Sequence, residues 1–370
     1  MKVANEQKIY FLLAARFPTE KAYGVTTEYS ARTVEALGYP TLILTPKKDS
    51  RFQSAIEIKV VASLLHKILM AKSMTFANLA RMNMFLILYG LWIRVTLPSK
   101  TSLFWTRDLF IAGCLGIFSK RKIIFELHRI PKGVKLRILT YLAQKRNIII
   151  CPISDIMIDQ LSRLQNSWTP AYMAVQESEL CKIDNIRNRQ AKIIYLGNPS
   201  SSGIPLDMDL LNDAATEISK MHKSWSFTLI GITEDDFCQK VRQPLAPNIE
   251  FKGHVSREEV FKELSQAAMG LVIYPNSTYF RDSFPIKIVE YAASGLAIVA
   301  SCTDSHKRIL SNQTCLFFDS ASLSSLVKAI DYLISNPSRR VDLAINARQW
   351  ATHFTYQERV RRILQEVCKM

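Results

Sequence analysis

The 370-residue sequence has no apolar stretch of the roughly 18 to 20 residues that a bilayer-spanning helix needs. Its longest apolar run, Met82–Ile93, is interrupted by Asn83 and bounded by Arg81 and Arg94, so no segment is expected to cross a membrane. The opening MKVANEQKIYFLLAARFP offers only the short apolar run Ile9–Ala15 and no small-residue cleavage site, and reads as a buried first strand rather than a signal peptide. The seven cysteines are scattered, odd in number and without a C-x-x-C pair. That pattern excludes a disulfide framework and a cysteine zinc site, and it fits a reducing compartment. There is no G-x-G-x-x-G, which weakens a dinucleotide-cofactor reading, and no internal repeat or low-complexity tract. At 48% hydrophobic and 22% charged residues, the chain can fill two buried cores and is not a disordered one.

Charge of one sign is plentiful. The net +16 is uneven: residues 1–180 hold 25 Lys and Arg against 12 Asp and Glu, a balance of +13, and the rest holds 23 against 20, a balance of +3. Nine of the basic residues crowd the stretch from Lys120 to Arg146. Such a field attracts a polyanion, whether nucleic acid, an anionic membrane surface or a phosphorylated substrate, unless it is simply a solvated, solubilising face.

Short apolar strands alternate with longer helix-like segments. Strands are expected at Lys8–Ala15, Thr41–Thr45, Ser102–Trp105, Lys122–Glu126, Asn147–Pro152, Lys192–Leu196, Ser226–Ile230, Ile249–Phe251, Gly270–Tyr274 and Ala297–Ala300, with a helix at Thr26–Leu37. Runs such as NIIICPIS are what parallel strands covered on both faces look like. The pattern lapses between Asn166 and Arg189 and restarts with KIIYLG. The expectation is two Rossmann-like doubly wound parallel-sheet domains, 1–185 and 186–354. The amphipathic segment 355–370 would pack back onto the first domain.

In open α/β sheets, ligands sit where strands end and helices begin. Three such places stand out. Gly24 lies just ahead of the helix opening with Thr26 and Thr27, where a phosphate could approach helix amides, or where the chain simply turns. His128 ends a strand next to Arg129 and Lys132, as a site residue or a structural one. In RDSFPIKIVEYAASG, Asp282 and Glu290 bracket the start of a helix. Their carboxylates suit sugar and ribose hydroxyls, and the amides of Ser283 to Ile286 suit an anion. The other reading is a helix capped by Asp282 with Glu290 on its surface.

Segments from both halves, in order, resemble the retaining glycosyltransferases of the GT-B fold (glycosyltransferase family 4-like, glycosyl transferases group 1). That family includes sucrose-phosphate synthases and many bacterial polysaccharide and lipid-glycan enzymes. The FP-x5-G-V loop, WTRD at Trp105–Asp108, FELH at Phe125–His128 and ISD at Ile153–Asp155 carry the resemblance in the first half. IIYLGN, FTLIG, NIEFKGHVSREEVFKELSQAAMGLVIYP and D-x7-E-Y-A-A-S-G-L-A-I-V-A-S carry it in the second. The resemblance implies a cleft between the two domains. There Glu290 holds the donor ribose, Asp282 stands where the family usually has glutamate and binds the transferred sugar, and Ser283, Phe284, Pro285 and Ile286 contact sugar and diphosphate. It also implies that Gly253, His254 and Val255 line the base pocket, that Gly24 approaches the diphosphate and that His128 lies beside the sugar.

The chain departs from the family in one loop. A basic pair usually stands in G-R-x5-K-G, whereas this sequence has GNPSSSG, with Gly197 followed by Asn198 and Ser202 in the cationic positions. Lys287, or Arg281, is the expected substitute. Asp207 and Asp209 spell D-x-D but sit where a helix start wants acids, so no metal is expected, and Glu234-Asp235-Asp236 reads as another helix start.

The expected function is transfer of a hexose-type sugar to a hydroxyl of a glycan or lipid-linked acceptor, with retention, in cell-surface polysaccharide, lipopolysaccharide or glycolipid assembly. The co-substrate is a UDP-, GDP- or ADP-sugar, and there is no cofactor. Arg107, Arg129 and Lys132 are assigned to the acceptor or to an anionic inner membrane. The expected place is cytoplasmic, with peripheral attachment as one variant. The alternatives are a weakened GT-B partner subunit, motivated by Asn198 and Ser202, and a basic polyanion- or nucleic-acid-binding Rossmann protein.

Overall fold

The structure, a computed structural model, describes residues 7–15, 17–18, 22–50, 54–61, 76–97, 102–116, 121–164, 168–201, 204–277 and 280–369. The chain divides into two compact units, Met1–Tyr172 with Tyr356–Met370, and Met173–Thr355.

In the first unit, β1 (Lys8–Leu12), β2 (Thr41–Thr45), β3 (Ile58–Val60), β4 (Ser102–Thr106), β5 (Lys122–Leu127) and β6 (Ile148–Pro152) form one parallel sheet ordered β3-β2-β1-β4-β5-β6. The second unit contains β7 (Gln190–Leu196), β8 (Ser200–Ser201), β9 (Ile204–Pro205), β10 (Ser226–Ile230), β11 (Ile249–Gly253), β12 (Ala267–Val272), β13 (Ala297–Ser301) and β14 (Cys315–Phe318). Here β8 and β9 pair as a small antiparallel hairpin, and the remaining strands are parallel in the order β11-β10-β7-β12-β13-β14. The two orders are the same. Each reverses direction once, between β1 and β4 or between β7 and β12, and each reversal is a switch point where ligands can reach strand ends.

The central strands are buried along their whole length, as TLILT, SLFWT and AIVAS show. Across the β1–β4 register, Tyr10 stacks on Phe104 and Phe11 on Trp105, with ring centroids 5.5 and 4.9 Å apart. The helix Tyr356–Cys368 places Val360, Ile363, Leu364 and Val367 on one stripe, and these join the first unit's core with Ile9, Phe11 and Cys151.

Several boundaries differ from expectation. The second unit begins after Tyr172, ahead of the expected 185/186 junction. Residues from Met173 on are tied to it: the Cys181 N–H donates to Ala293 O at 2.9 Å, and Arg348 donates to Cys181 O at 2.7 Å. The first helix starts at Ala22, so Gly24 lies inside its first turn rather than ahead of it, and Thr27 bonds back to Tyr23 O. β3, β14 and the β8–β9 hairpin were not expected. β3 is three residues long and largely exposed, and so carries almost no apolar signal. Arg121, read as part of a basic surface, is buried. Its guanidinium donates to the carbonyls of Ile93, Arg94 and Leu97, closing the C-terminal end of the helix Phe76–Thr96. Lys120 lies outside the described residues.

One contact fixes how the helix Ile286–Ala293 meets the second sheet. The Tyr291 hydroxyl accepts from Leu196 N–H at 2.7 Å and donates to Leu271 O at 3.3 Å, bridging the β7/β12 switch point. Its ring lies over Gly270, where an added Cβ would stand 2.6 Å from ring carbons. Gly270→Ala should therefore lower unfolding free energy by about 1–3 kcal/mol through overpacking, read as a lower urea midpoint at unchanged m-value.

Candidate active site

The C-terminal edge of the second sheet is built first from glycine. β7, β10 and β11 stop at Gly197, Gly231 and Gly253, with φ of +137°, +91° and +60°. The Gly197 N–H donates to Ile230 O at 2.9 Å and the Gly231 N–H to Gly253 O at 2.7 Å, so three strand ends form one rim. Only glycine holds such φ values without strain, and its missing side chains leave main chain open to a ligand.

Beside this rim, the helix Ile286–Ala293 contributes Lys287 and Glu290, both buried. The helix starts slightly later than expected. Pro285 is its N-cap and makes no side-chain cap; the Ser283 N–H is already engaged by Phe280 O at 3.1 Å, and proline has no N–H. Of the expected anion-binding amides, Ser283 and Pro285 therefore drop out. The opening N–H groups of Ile286 and Lys287 remain without an acceptor inside the helix. Asp282 is half-buried in the preceding turn, four residues ahead of the helix, and does not cap it. Arg281 is exposed, and Phe284 is buried 5.6 Å from the Phe354 ring.

Lys287 occupies the switch point. Its ammonium lies 4.6 Å from the Tyr195 ring centroid at the end of β7, and 5.2 Å from that of Tyr274 just beyond β12. It would stand 2.9 Å from a Cβ at Gly197. Burial pushes the amine down to about 8, with the Glu290 carboxylate pulling the other way. The nearby His306 donates from Nδ1 to Ser301 O at 2.7 Å, and burial pushes it down to about 4, which leaves it neutral.

Glu290 is 4% exposed. Its Oε1 accepts from Arg257 Nη1 at 2.9 Å, and Arg257 also grips Glu179 through Nε and Nη2 at 2.7 and 3.0 Å. Burial pushes the Glu290 carboxyl upward and Arg257 opposes it. Sequence reasoning missed both Arg257 and Glu179. Arg257 reads as one more charge in SREEV, and Glu179 falls in the stretch that looks like a linker.

The other expected donor residues lie around the rim. Asn198 is exposed, and its carbonyl accepts from the Tyr195 hydroxyl at 3.5 Å. His254 is exposed and Val255 half-buried directly after Gly253; Ser202 lies outside the described residues. Asp207 caps the helix Met208–Met221 by accepting from Leu210 N–H, and Asp209 accepts from Arg242 N–H. Glu234, Asp235 and Asp236 open the helix Glu234–Cys238.

In the first unit, Arg107 and His128 follow β4 and β5 directly, so Arg107 stands at the β1/β4 switch point. Arg107 Nη2 donates to His128 Nδ1 at 2.9 Å, which requires His128 to carry its proton on Nε2, facing Glu126 Oε2 at 3.1 Å. Burial, aided by Arg107, pushes His128 down to about 4. Glu126 also accepts from Trp105 Nε1 at 2.7 Å and pairs with Arg359 at 2.6 Å. Burial works against its ionisation, yet Arg359, His128 and Arg107 together hold it well below the usual carboxylate range. Glu126 and Arg359 were also not anticipated, because a charge inside an amphipathic pattern gives no sign of burial. Arg129 and Lys132 are exposed on the loop after β5, and Gly24 is buried in its helix.

Comparison with solved structures defines the fold. HepE of Anabaena, in complex with UDP-glucose, superposes with a TM-score of 0.70 over 98% of this chain and 100% of that one, at 13% identity. Sucrose-phosphate synthase from Thermosynechococcus elongatus gives 0.67 over 98% of each chain at 12% identity. The fold is GT-B. Residues 211–365 match the family model described as glycosyl transferase-like, so this segment, most of it in the second unit, resembles that family. A stretch of 126 residues is 32% identical to the GDP-Man:Man(3)GlcNAc(2)-PP-Dol alpha-1,2-mannosyltransferase of Xenopus laevis, covering 32% of this chain. It spans about a quarter (24%) of that relative's length.

Lys287 should be a liability to the fold. A lysine whose folded-state value is about 8 against 10.5 in the unfolded chain destabilises the protein fully below pH 8, and the penalty fades as pH rises toward 10.5. Lys287→Met should therefore be more stable than wild type at pH 7, by roughly 2–4 kcal/mol. The gap should close between pH 8 and 10.5 in denaturant titrations.

Proposed function

We propose that the protein transfers a hexose-type sugar from a nucleoside-diphosphate sugar to a hydroxyl group of a glycan or lipid-linked acceptor, with retention of configuration. The observation that carries this reading is the buried Lys287 ammonium beside a side-chain-free glycine rim, with the Glu290 carboxylate one helical turn away. A cation in that position suits a departing diphosphate, the rim suits a nucleotide read through main chain, and a carboxylate suits ribose hydroxyls.

In the reaction, the anomeric C–O bond to the diphosphate breaks and the acceptor oxygen bonds to the anomeric carbon from the same face. The departing phosphate oxygen takes the acceptor proton. Lys287 and the opening amides of its helix stabilise the leaving charge, and no metal is assigned, since Asp207 of the D-x-D sequence is occupied as a helix cap. Asp282 binds the transferred sugar, and His128 is a further candidate for contact with substrate, its neutral form favoured by burial and by Arg107. The UDP-glucose complex of HepE and the GDP-mannose donor in the Xenopus relative's name support the donor class.

A second observation supports peripheral attachment to an anionic membrane on the cytoplasmic side. No described helix is long and apolar enough to cross a membrane. The helix Phe76–Thr96, however, buries Phe85, Leu86, Tyr89 and Ile93 while exposing Met84, Ile87, Leu88, Leu91, Trp92 and Val95, the last 85% exposed. The exposed residues follow i, i+3, i+4, i+7 spacing and form one continuous apolar face. It lies in the strongly basic half of the chain, whose Arg129, Lys132, Arg137 and Arg146 are exposed. Apolar insertion combined with basic attraction is the chemistry of an anionic lipid surface.

Calorimetry with UDP, GDP and ADP tests the donor site. One nucleotide should bind, and Glu290→Ala should weaken it by about tenfold or more; binding of none would remove the proposed function. Lys287→Ala should lower turnover by about 100-fold while leaving nucleotide affinity nearer to wild type. Co-sedimentation with anionic vesicles at low salt should fall sharply in a Leu88→Asp/Val95→Asp variant, and absence of binding by the wild type would sink the membrane claim.

A further inference from the structure

We propose that Arg257, held by Glu179, is a positioning residue for Glu290: it engages one carboxylate oxygen and presents the other to the ribose hydroxyls of the donor. The inference rests on the donor-site reading given above.

Its starting point is a residue in an unfavourable place. Arg257 is the first residue of the helix Arg257–Gln266, whose first turn otherwise carries Glu258 and Glu259. A cation at a helix N-terminus opposes the helix dipole, so this arginine is kept for something other than helix stability. The guanidinium spans two carboxylates, with a two-pronged grip on Glu179 through Nε and Nη2 and Nη1 on Glu290 Oε1. A lysine ammonium lacks this fork and cannot reproduce the two-pronged grip on Glu179 while holding Glu290. The Phe261 ring supports the guanidinium from one side, 4.9 Å from its centre.

Glu179 is itself fixed. Its Oε2 accepts the Gln176 N–H at 2.7 Å in a capping box at the short helix Glu177–Glu179. The order of support therefore runs from main chain at Gln176 to Glu179, to Arg257 and then to Glu290. The charged and titratable groups around Glu290 are Arg257, Glu179, Lys287 and the Tyr291 hydroxyl. Without Arg257, two carboxylates would share a buried site with only Lys287 to oppose them. Glu290 would then take up a proton more readily and lose acceptor capacity. With Arg257 in place, Glu290 is an oriented anion with one oxygen still available.

The test is calorimetric titration with UDP, GDP and ADP of wild type, Glu290→Gln, Arg257→Met, Arg257→Lys and Glu179→Gln, between about pH 6 and 7.5. Affinities are expressed relative to wild type at each pH, and thermal unfolding checks that each variant is folded. Glu290→Gln and Arg257→Met should each weaken the bound nucleotide by about tenfold or more at neutral pH, and Arg257→Lys should recover only part of the loss. In Arg257→Met the deficit should grow as pH falls, because the carboxylate is no longer held ionised. In Glu179→Gln a smaller deficit, about threefold, should stay level with pH, because only the geometry is loosened.

Wild-type affinity in both Arg257→Met and Glu179→Gln, alongside loss in Glu290→Gln, would overturn the positioning role and leave the donor site standing. A loss in Arg257→Met that is the same at every pH would also overturn it, since a packing role predicts that. If Arg257→Met fails to fold, Glu179→Gln and Arg257→Lys decide: unchanged affinity in both overturns the proposal. Wild-type affinity in Glu290→Gln, or no nucleotide bound by the wild type, would remove the donor reading and the proposal together.

Discussion

A lysine ammonium sealed between two tyrosine rings is the constraint around which the second unit is arranged. Removing such a charge from water costs several kcal/mol, and the cost has to be offset locally. Three features offset part of it at Lys287: the faces of Tyr195 and Tyr274, the carboxylate of Glu290 one turn further along the same helix, and the bare α-carbon of Gly197, which leaves room for the ammonium. Each in turn demands something of its neighbours. The helix must sit at a fixed height over the sheet, which Tyr291 enforces by bridging Leu196 and Leu271. Glu290 must be kept ionised against its own burial, which falls to Arg257.

The two units repeat one arrangement with opposite outcomes. Each has a parallel sheet of the same strand order, and at each reversal point a cation stands near a buried carboxylate, Arg107 with Glu126 and Lys287 with Glu290. Glu126 accepts from Trp105 and His128 and pairs with Arg359, so both of its oxygens are engaged and its charge is secured. Glu290 has one oxygen engaged by Arg257, and its carboxyl is pushed upward. A carboxylate with both oxygens engaged is best suited to orienting its neighbours. One with spare acceptor capacity can receive a ligand. On this ground Glu126 sets the tautomer of His128, while Glu290 is suited to direct contact with hydroxyl groups.

The sequence disclosed architecture better than it disclosed the supports of the site. Parallel strands buried on both faces are written as bare apolar runs, so TLILT and NIIICP are legible without a structure. β3 and β14 are short and partly exposed, and their apolar signal is weak. Lys287 and Glu290 could be found because they share one motif, close in sequence and close in space. Glu179 and Arg257 are 78 positions apart and meet only through the fold. Arg121 fails for a related reason: sequence records that a residue is charged, but not that three carbonyls at a helix end await it. The later start of the helix at Ile286 follows from hydrogen bonding within the turn at Phe280–Ser283, which composition does not reveal.

The glycine rim has a consequence for how this protein can be dissected genetically. Three adjacent strand ends, about 10 Å of sheet edge, present main chain alone. Whatever lies against them meets atoms common to every residue. Scanning by alanine truncation, which works by subtracting side chains, has nothing to subtract at Gly197, Gly231 and Gly253. There the informative substitution adds atoms: a methyl group at Gly197 would intrude on the Lys287 ammonium, and at any of the three it would oppose the backbone's own torsion. A map of sensitivity built from truncations would show a hole along the edge where these three strands end.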